Sequence, residues 1–202
     1  MEKLPKTDTV LAPACKTGTG IESCLMAMSS PVIYTSRLRL RPLSLTDASF
    51  IQTLRNDPAV NTYIRRDMLI DRKTAEAFIQ KILNGEQSGT FKFWAISLPA
   101  EQLIGTICLW NFNPERTQAE VGYELLPLHQ KKGYMQESLR AVMDFGFNEL
   151  KLGHIDAYTH FENQASLVLL GREGFDLMPD LKDPDIPENR VFRKKNPGSL
   201  GI

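Results

Sequence analysis

Cysteine is scarce in this chain: Cys15, Cys24 and Cys108 are the only three among 202 residues. They form no CxxC pair and have no histidine nearby at metal-ligand spacing. That argues against a zinc site or a disulfide framework and fits a reduced, cytoplasmic setting. His129, His154 and His160 are too scattered to suggest a metal, so none is expected. Charge of one sign is lacking too. With 24 basic and 24 acidic residues the formal net charge is zero, which gives no general attraction to nucleic acid. No run of Lys and Arg interleaved with aromatics offers to track a phosphate backbone. Long apolar runs are also absent, so no membrane span is expected. The first thirty residues lack the basic start and continuous apolar stretch of a signal peptide.

What is present suffices for one globular domain. Apolar residues make up 42% of the chain, enough at this length to bury a core. Residues 1–30 follow neither a two-residue nor a 3.6-residue period and read as a disordered extension or tag, with Met28 as a natural start. Residues 31–195 carry the patterned segments, and 196–202 read as a flexible tail.

Within the patterned region, RLRLRPL alternates Leu38 and Leu40 with Arg37, Arg39 and Arg41, a half-exposed strand ending at Pro42. Thr46 and Asp47 offer N-caps to a helix carrying Phe50, Ile51 and Leu54, which Asp57-Pro58 stops. Asp71 or Thr74 caps a second helix through Phe78, Ile79, Ile82 and Leu83, expected to end at Asn84-Gly85. Runs at 91–97, 102–110 and 118–126 read as an antiparallel meander. A third helix follows, with Met135, Leu139, Val142, Met143, Phe147 and Leu150 on one face. HIDAYT is a strand, Asn163 opens a last helix, and two short strands close the chain. The order βααβββαβαββ predicts an α+β fold, a mixed and mostly antiparallel central sheet covered by helices.

The stretch HQKKGYMQ sits where the third helix begins. A helix start leaves backbone N–H groups unpaired and carries roughly half a positive charge, so it seats anions. Gly133 lets backbone approach a phosphate closely. Lys131 and Lys132 add charge beside it, and the amides from Lys132 to Gln136 converge on a diphosphate-sized target. Upstream, strand alternation puts Glu120, Gly122 and Glu124 on one face, two carboxylates able to take a proton directly or through water. The competing reading makes them solvated or salt-bridged strand residues. Tyr123 and Tyr158 either border a cleft or pack in the core, and Trp94 and Trp110 read as packing.

Gln130-Lys131-Lys132-Gly133-Tyr134-Met135 resembles the Gln/Arg-x-x-Gly-x-Gly/Ala pyrophosphate loop of the GNAT superfamily of N-acetyltransferases. AEVGYELLPLHQKKGYMQESL together with NQASLVLLGREGF resembles its RimJ/RimL branch of ribosomal-protein N-terminal acetyltransferases, from about Ser36 to Lys194. The resemblance implies that the strand Glu120 to Leu126 splays from HIDAYT. It implies that acetyl-CoA lies in the gap against the backbone of Leu125 and Leu126, its diphosphate on Gln130 to Gln136. An amide at the strand break would face the thioester oxygen, which calls for donors aimed at charge that develops during reaction. Glu120 or Glu124 would be the base, Ser166 the acid, and Asn163 a cofactor contact or helix cap.

Three positions depart from the family pattern. Met135 fills a place usually Gly or Ala, tolerable if its side chain enters the core. Lys131 stands where the branch often has Gly. Leu170 stands where many members carry a tyrosine thought to protonate the leaving thiolate. The acceptor is expected to be a primary amine on a peptide or small molecule, and the protein a monomer or homodimer. A CoA-binding sensor or interaction module without catalysis is the alternative, and a structural domain without a ligand a third. The loop from Asp57 to Arg72, with Tyr63, Arg65 and Arg66 near Asp67 and Asp71, lies on the acceptor side of that expectation.

Overall fold

The structure is a computed structural model describing residues 29–69, 71–100 and 102–199. Residues 1–28 of the expected extension lie outside the described residues. Strands β1 (Ile33–Tyr34) and β2 (Arg39–Arg41) open the domain, followed by helices α1 (Ala48–Asn56) and α2 (Arg72–Gln87). The meander β3 (Phe91–Ser97), β4 (Leu103–Trp110) and β5 (Gln118–Leu125) leads into α3 (Tyr134–Asn148). Then come β6 (His154–His160), α4 (Gln164–Arg172), β7 (Asp176–Leu177) and β8 (Asn189–Lys195).

The eight strands form one sheet in the order β1-β2-β3-β4-β5-β6-β8-β7. Neighbours pair antiparallel except β5 and β6, which run parallel. That parallel contact is short. It registers Gln118 with His154, Ala119 with Ile155, Glu120 with Asp156 and Val121 with Ala157, while β5 runs on to Leu125 and β6 to His160. Beyond Val121 the two strands have no register pairs, and the sheet splits.

Each face of the sheet has its own core. Trp94, Ile107, Leu109, Val121 and Ile155 meet Met135, Leu139, Val142 and Phe147 of α3 and Leu170 of α4. On the other face Phe91, Phe93 and Ala95 meet Ile51 of α1 and Ile79 and Ile82 of α2. Strand alternation sends Glu120, Gly122 and Glu124 toward the α1/α2 face, and Val121, Tyr123 and Leu125 toward the α3/α4 face.

Asp71 caps α2 by accepting from Thr74 N at 2.8 Å. This helix passes through Asn84-Gly85 rather than ending there. Gly85 serves packing, because a Cβ on it would stand 2.1 Å from Phe91 Cδ2. The left-handed residue that follows the helix is Gly89, at φ +74°. Asp47 precedes α1, and its carboxylate receives both Arg41 Nη atoms at 2.8 Å. At the ends of the domain, Ser30 is buried and its N–H donates to Glu86 Oε1. Asn196 Nδ2 donates to Leu152 O at 2.9 Å, and Pro197–Ser199 makes a 3-10 turn.

Candidate active site

Leu125 ends β5 and a 3-10 turn, Pro127–His129, carries the chain to the start of α3. Gln130 Nε2 turns back to Leu125 O at 3.0 Å. Lys131 takes φ +60° and Gly133 φ +80°, left-handed conformations that glycine adopts at little cost and lysine at about 1–2 kcal/mol. The family's glycine at the Lys131 position thus has a backbone reason, and lysine here accepts the strain. Gly133 is the N-cap of α3, with no side chain capping the first turn. The first return bond runs from Glu137 N to Gly133 O, so the amides of the first turn face outward. Lys131 and Lys132 are exposed. Met135 is 9% exposed and sits in the core, which explains how a large residue fits where the loop usually has a small one.

A brace that the sequence did not announce holds this turn. Arg37 Nε donates to Glu137 Oε2 at 2.7 Å, and Arg37 Nη1 donates to Lys132 O at 3.0 Å. Its guanidinium lies 4.8 Å from the Tyr134 ring centroid. Thr35 Oγ1, Ser36 Oγ and Arg37 N all donate to Glu137 Oε1. Burial opposes charge on Glu137, but these donors outweigh it and hold the carboxyl at about 2. Gln136 directs its side chain to Glu173 Oε1 at 2.6 Å, so only its backbone is available to a ligand.

The split between β5 and β6 opens into a cavity of about 300 Å³ that reaches both faces of the sheet. Leu126 N donates to Ile104 O at 2.9 Å. By the alternation of an antiparallel strand, Tyr123 and Leu125 therefore turn their backbone groups the other way, toward the gap. Of the two expected contacts Leu125 faces the split, and the N–H of Leu126 is committed to β4.

Glu120 and Glu124 both line the cavity but have different neighbours. Glu124 Oε1 receives Arg66 Nη1 at 2.6 Å and lies 3.6 Å from Arg55 Nη1. Arg66 is almost fully enclosed, at 2% side-chain exposure, and its Nε donates to Asn61 Oδ1. The loop after α1 is thereby pinned to the split strand. Glu120 accepts from Asn111 Nδ2 at 2.6 Å and is 8% exposed. Burial, and then the charges of Glu120, Asp156 and Asp183, push the Tyr158 phenol up to about 12.

Asn163 caps α4, its side chain accepting from Ser166 N at 3.2 Å. Ser166 Oγ pairs with the Tyr123 hydroxyl at 2.8 Å rather than with its own helix backbone. Leu170 is fully buried in the core and presents no proton donor. Burial drives the Cys108 thiol, beside Gly122, up to about 12. At the cavity mouth the His160 ring stacks on Tyr63 at 5.1 Å and on Phe161 at 4.8 Å. Arg37, Arg66, Asn111 and His160 were not singled out from sequence as site residues. Their partners Glu137, Glu124, Glu120 and Tyr63 lie 9 to 100 positions away, beyond any local pattern.

The site thus has two sides. Carboxylates face α1 and α2, hydroxyls face α3 and α4, and both meet at a gap in the sheet that leads to an outward-facing helix start. The gap is elongated and runs from the backbone of Tyr123 and Leu125 to the helix start at Gly133, the layout expected of an acyl-CoA N-acetyltransferase.

The family model of the acetyltransferase (GNAT) domain matches residues 37–176. The uncharacterized N-acetyltransferase p20 of Bacillus licheniformis is 31% identical over 164 residues, covering 79% of this chain and 90% of the relative. YoaA of Bacillus subtilis (strain 168), also an uncharacterized N-acetyltransferase, is 31% identical over 146 residues, covering 72% and 82%. The ribosomal L7/L12 α-N-protein acetyltransferase RimL in complex with coenzyme A superposes with a TM-score of 0.73 at 18% identity, over 82% of this chain and 98% of that one. An acetyltransferase from Agrobacterium tumefaciens gives 0.70 at 25% identity, over 82% and 95%. The chain belongs to the GNAT acetyltransferase family. Among its described residues no helix is long and apolar enough to cross a membrane.

Proposed function

We propose that this enzyme transfers the acetyl group of acetyl-CoA to a primary amine by direct attack within a ternary complex, and that the amine belongs to a peptide α-amino group or a small molecule. The observation that carries the reading is the split after Val121 and Ala157 leading to the uncapped start of α3 at Gly133. The solved relative bound to coenzyme A supports the coenzyme.

On binding, the coenzyme supplies an activated acetyl carbonyl. First-turn amides from Lys132 to Gln136, with Lys131 and Lys132, hold its diphosphate. Gln130 fixes the loop to the end of β5, and Asn163 orders the start of α4 beside the arm. Tyr123 and Leu125 offer backbone groups at the gap, and an amide there stabilises negative charge developing on the carbonyl oxygen. Glu120 receives the amine proton, directly or through water. Glu124 is a poorer base, because its 2.6 Å pair with Arg66 must break before Oε1 can accept a proton. Ser166 faces the thiol side as hydrogen-bond donor. An α-amine, with a pKa of about 8, needs less help to lose its proton than lysine at about 10.4.

The test is release of free thiol from acetyl-CoA in the presence of a panel of peptides, polyamines and small amines, with thermal melting read beside it. Turnover with at least one amine and a rise in melting temperature with CoA are expected. Neither appearing would overturn the reading.

A further inference from the structure

Tyr123 enters the split from β5 and Ser166 from the first turn of α4, and their hydroxyl oxygens lie 2.8 Å apart. Two hydroxyls sharing one hydrogen bond have a single donor. A phenol, with an ordinary pKa of about 10, is a far stronger acid than an aliphatic alcohol and the weaker acceptor of the two. Either oxygen can be the donor; on acidity the favoured arrangement has Tyr123 O–H donating and Ser166 Oγ accepting. The serine's own hydrogen is left to point elsewhere. Its backbone N–H is already held by Asn163, which fixes the turn that carries it.

We propose that Tyr123 is a positioning residue for the leaving thiol: by donating to Ser166 Oγ it aims the serine hydrogen into the gap between β5 and β6, where the coenzyme sulfur departs. The inference rests on the assignment of Ser166 to the thiol side made above. As the carbon–nitrogen bond forms and the carbon–sulfur bond breaks, Glu120 takes the amine proton and Ser166 O–H steadies the electron pair left on sulfur. Solvent then moves a proton from the carboxyl to the thiolate. Burial pushes the Tyr123 phenol up to about 12. A thiolate, whose acid has an ordinary pKa of about 8.5, does not take that proton. The pair acts by hydrogen bonding and Tyr123 stays neutral throughout. This gives the chain a thiol-side donor although Leu170 offers none.

Coenzyme A itself is the probe, with ionisation of its bound thiol followed by the ultraviolet absorption of the thiolate. In the wild type the bound thiol should ionise about one pH unit lower than in Tyr123→Phe, a tenfold difference. Ser166→Ala should match Tyr123→Phe, and the double variant should add nothing. Arg55, Glu120, Glu124, Tyr158, His160 and Asp183 also face the cavity and are common to every form, so the difference reads the hydroxyl pair. Equal ionisation in wild type and Tyr123→Phe, or full additivity in the double variant, overturns the proposal. Should Tyr123→Phe fail to fold, 3-fluorotyrosine at position 123, a stronger donor of nearly the same shape, should move the ionisation further down; no movement overturns it. Calorimetric titration with coenzyme A separates the failures. Absence of binding removes the coenzyme reading and this inference together, whereas binding with unchanged ionisation removes the tyrosine's role alone.

Discussion

Glu120 and Glu124 stand four positions apart on one strand and face the same cavity, yet their neighbours set them to different work. Removing Glu124 strands the guanidinium of Arg66, 2% exposed, beside that of Arg55, 8% exposed. Breaking a buried ion pair from one side costs about 3–5 kcal/mol, so Glu124→Ala should lose roughly 3 kcal/mol in urea unfolding. Glu120→Gln keeps its shape and its acceptor oxygen for Asn111. It should unfold near the wild type while its kcat drops about a hundredfold, the scale of a lost general base. The reverse pattern, a stable Glu124→Ala and an active Glu120→Gln, would exchange the two roles. Strand alternation placed both carboxylates on one face, but not the arginines, since Arg66 reaches Glu124 across 58 positions. Asn163 was legible as a helix cap from its place before α4, whereas the role given to Ser166 came from resemblance. The Tyr123 hydroxyl was not, because an aromatic on a strand reads first as core.

At the level of elements, the start of α3, which is proposed to seat the diphosphate, carries a carboxylate of its own. Glu137 lies in the first turn of α3 and would repel a diphosphate if it were left bare. Arg37 neutralises it and also takes Lys132 O, drawing that peptide to the far side so that the amides turn outward. Glu137 is ordinarily near 4.5 and is held at about 2 here. A lowered carboxyl stabilises the folded chain above its ordinary value, and that contribution is lost as pH falls from about 4.5 toward 2. Glu137→Gln should therefore unfold at lower urea than the wild type at neutral pH, with the two midpoints converging across that acidic window. A constant gap would show that the donors around Glu137 do not act through its charge. Most elements could be read from period and caps: β3 spans the expected residues 91–97, and Gly133 begins α3. The end of α2 could not, since Asn84-Gly85 has the composition of a stop. Only the ring of Phe91 against Gly85, a contact across the turn, shows why glycine is there.

Across the whole molecule, the order of elements left few topologies for an α+β domain, and the meander with its strand-helix-strand crossover was legible from hydrophobic pattern alone. The split came from resemblance, because nothing in the composition of β5 or β6 says where a parallel pairing stops. The consequence of that split can be read amide by amide. From Val121 back, β5 is paired on both sides; from Tyr123 on, no register pair joins it to β6, and under the proposed function the coenzyme arm completes the ladder there. In heavy water the amides of Tyr123 and Leu125 should therefore exchange much faster than those of Ala119 and Val121, though all four lie in one central strand. Bound coenzyme A should bring the two pairs to similar rates, whereas equal protection before it is added would mean that the strands close on each other in solution. An interior strand that is half edge gives this enzyme a meter of occupancy that needs no knowledge of the amine it acetylates.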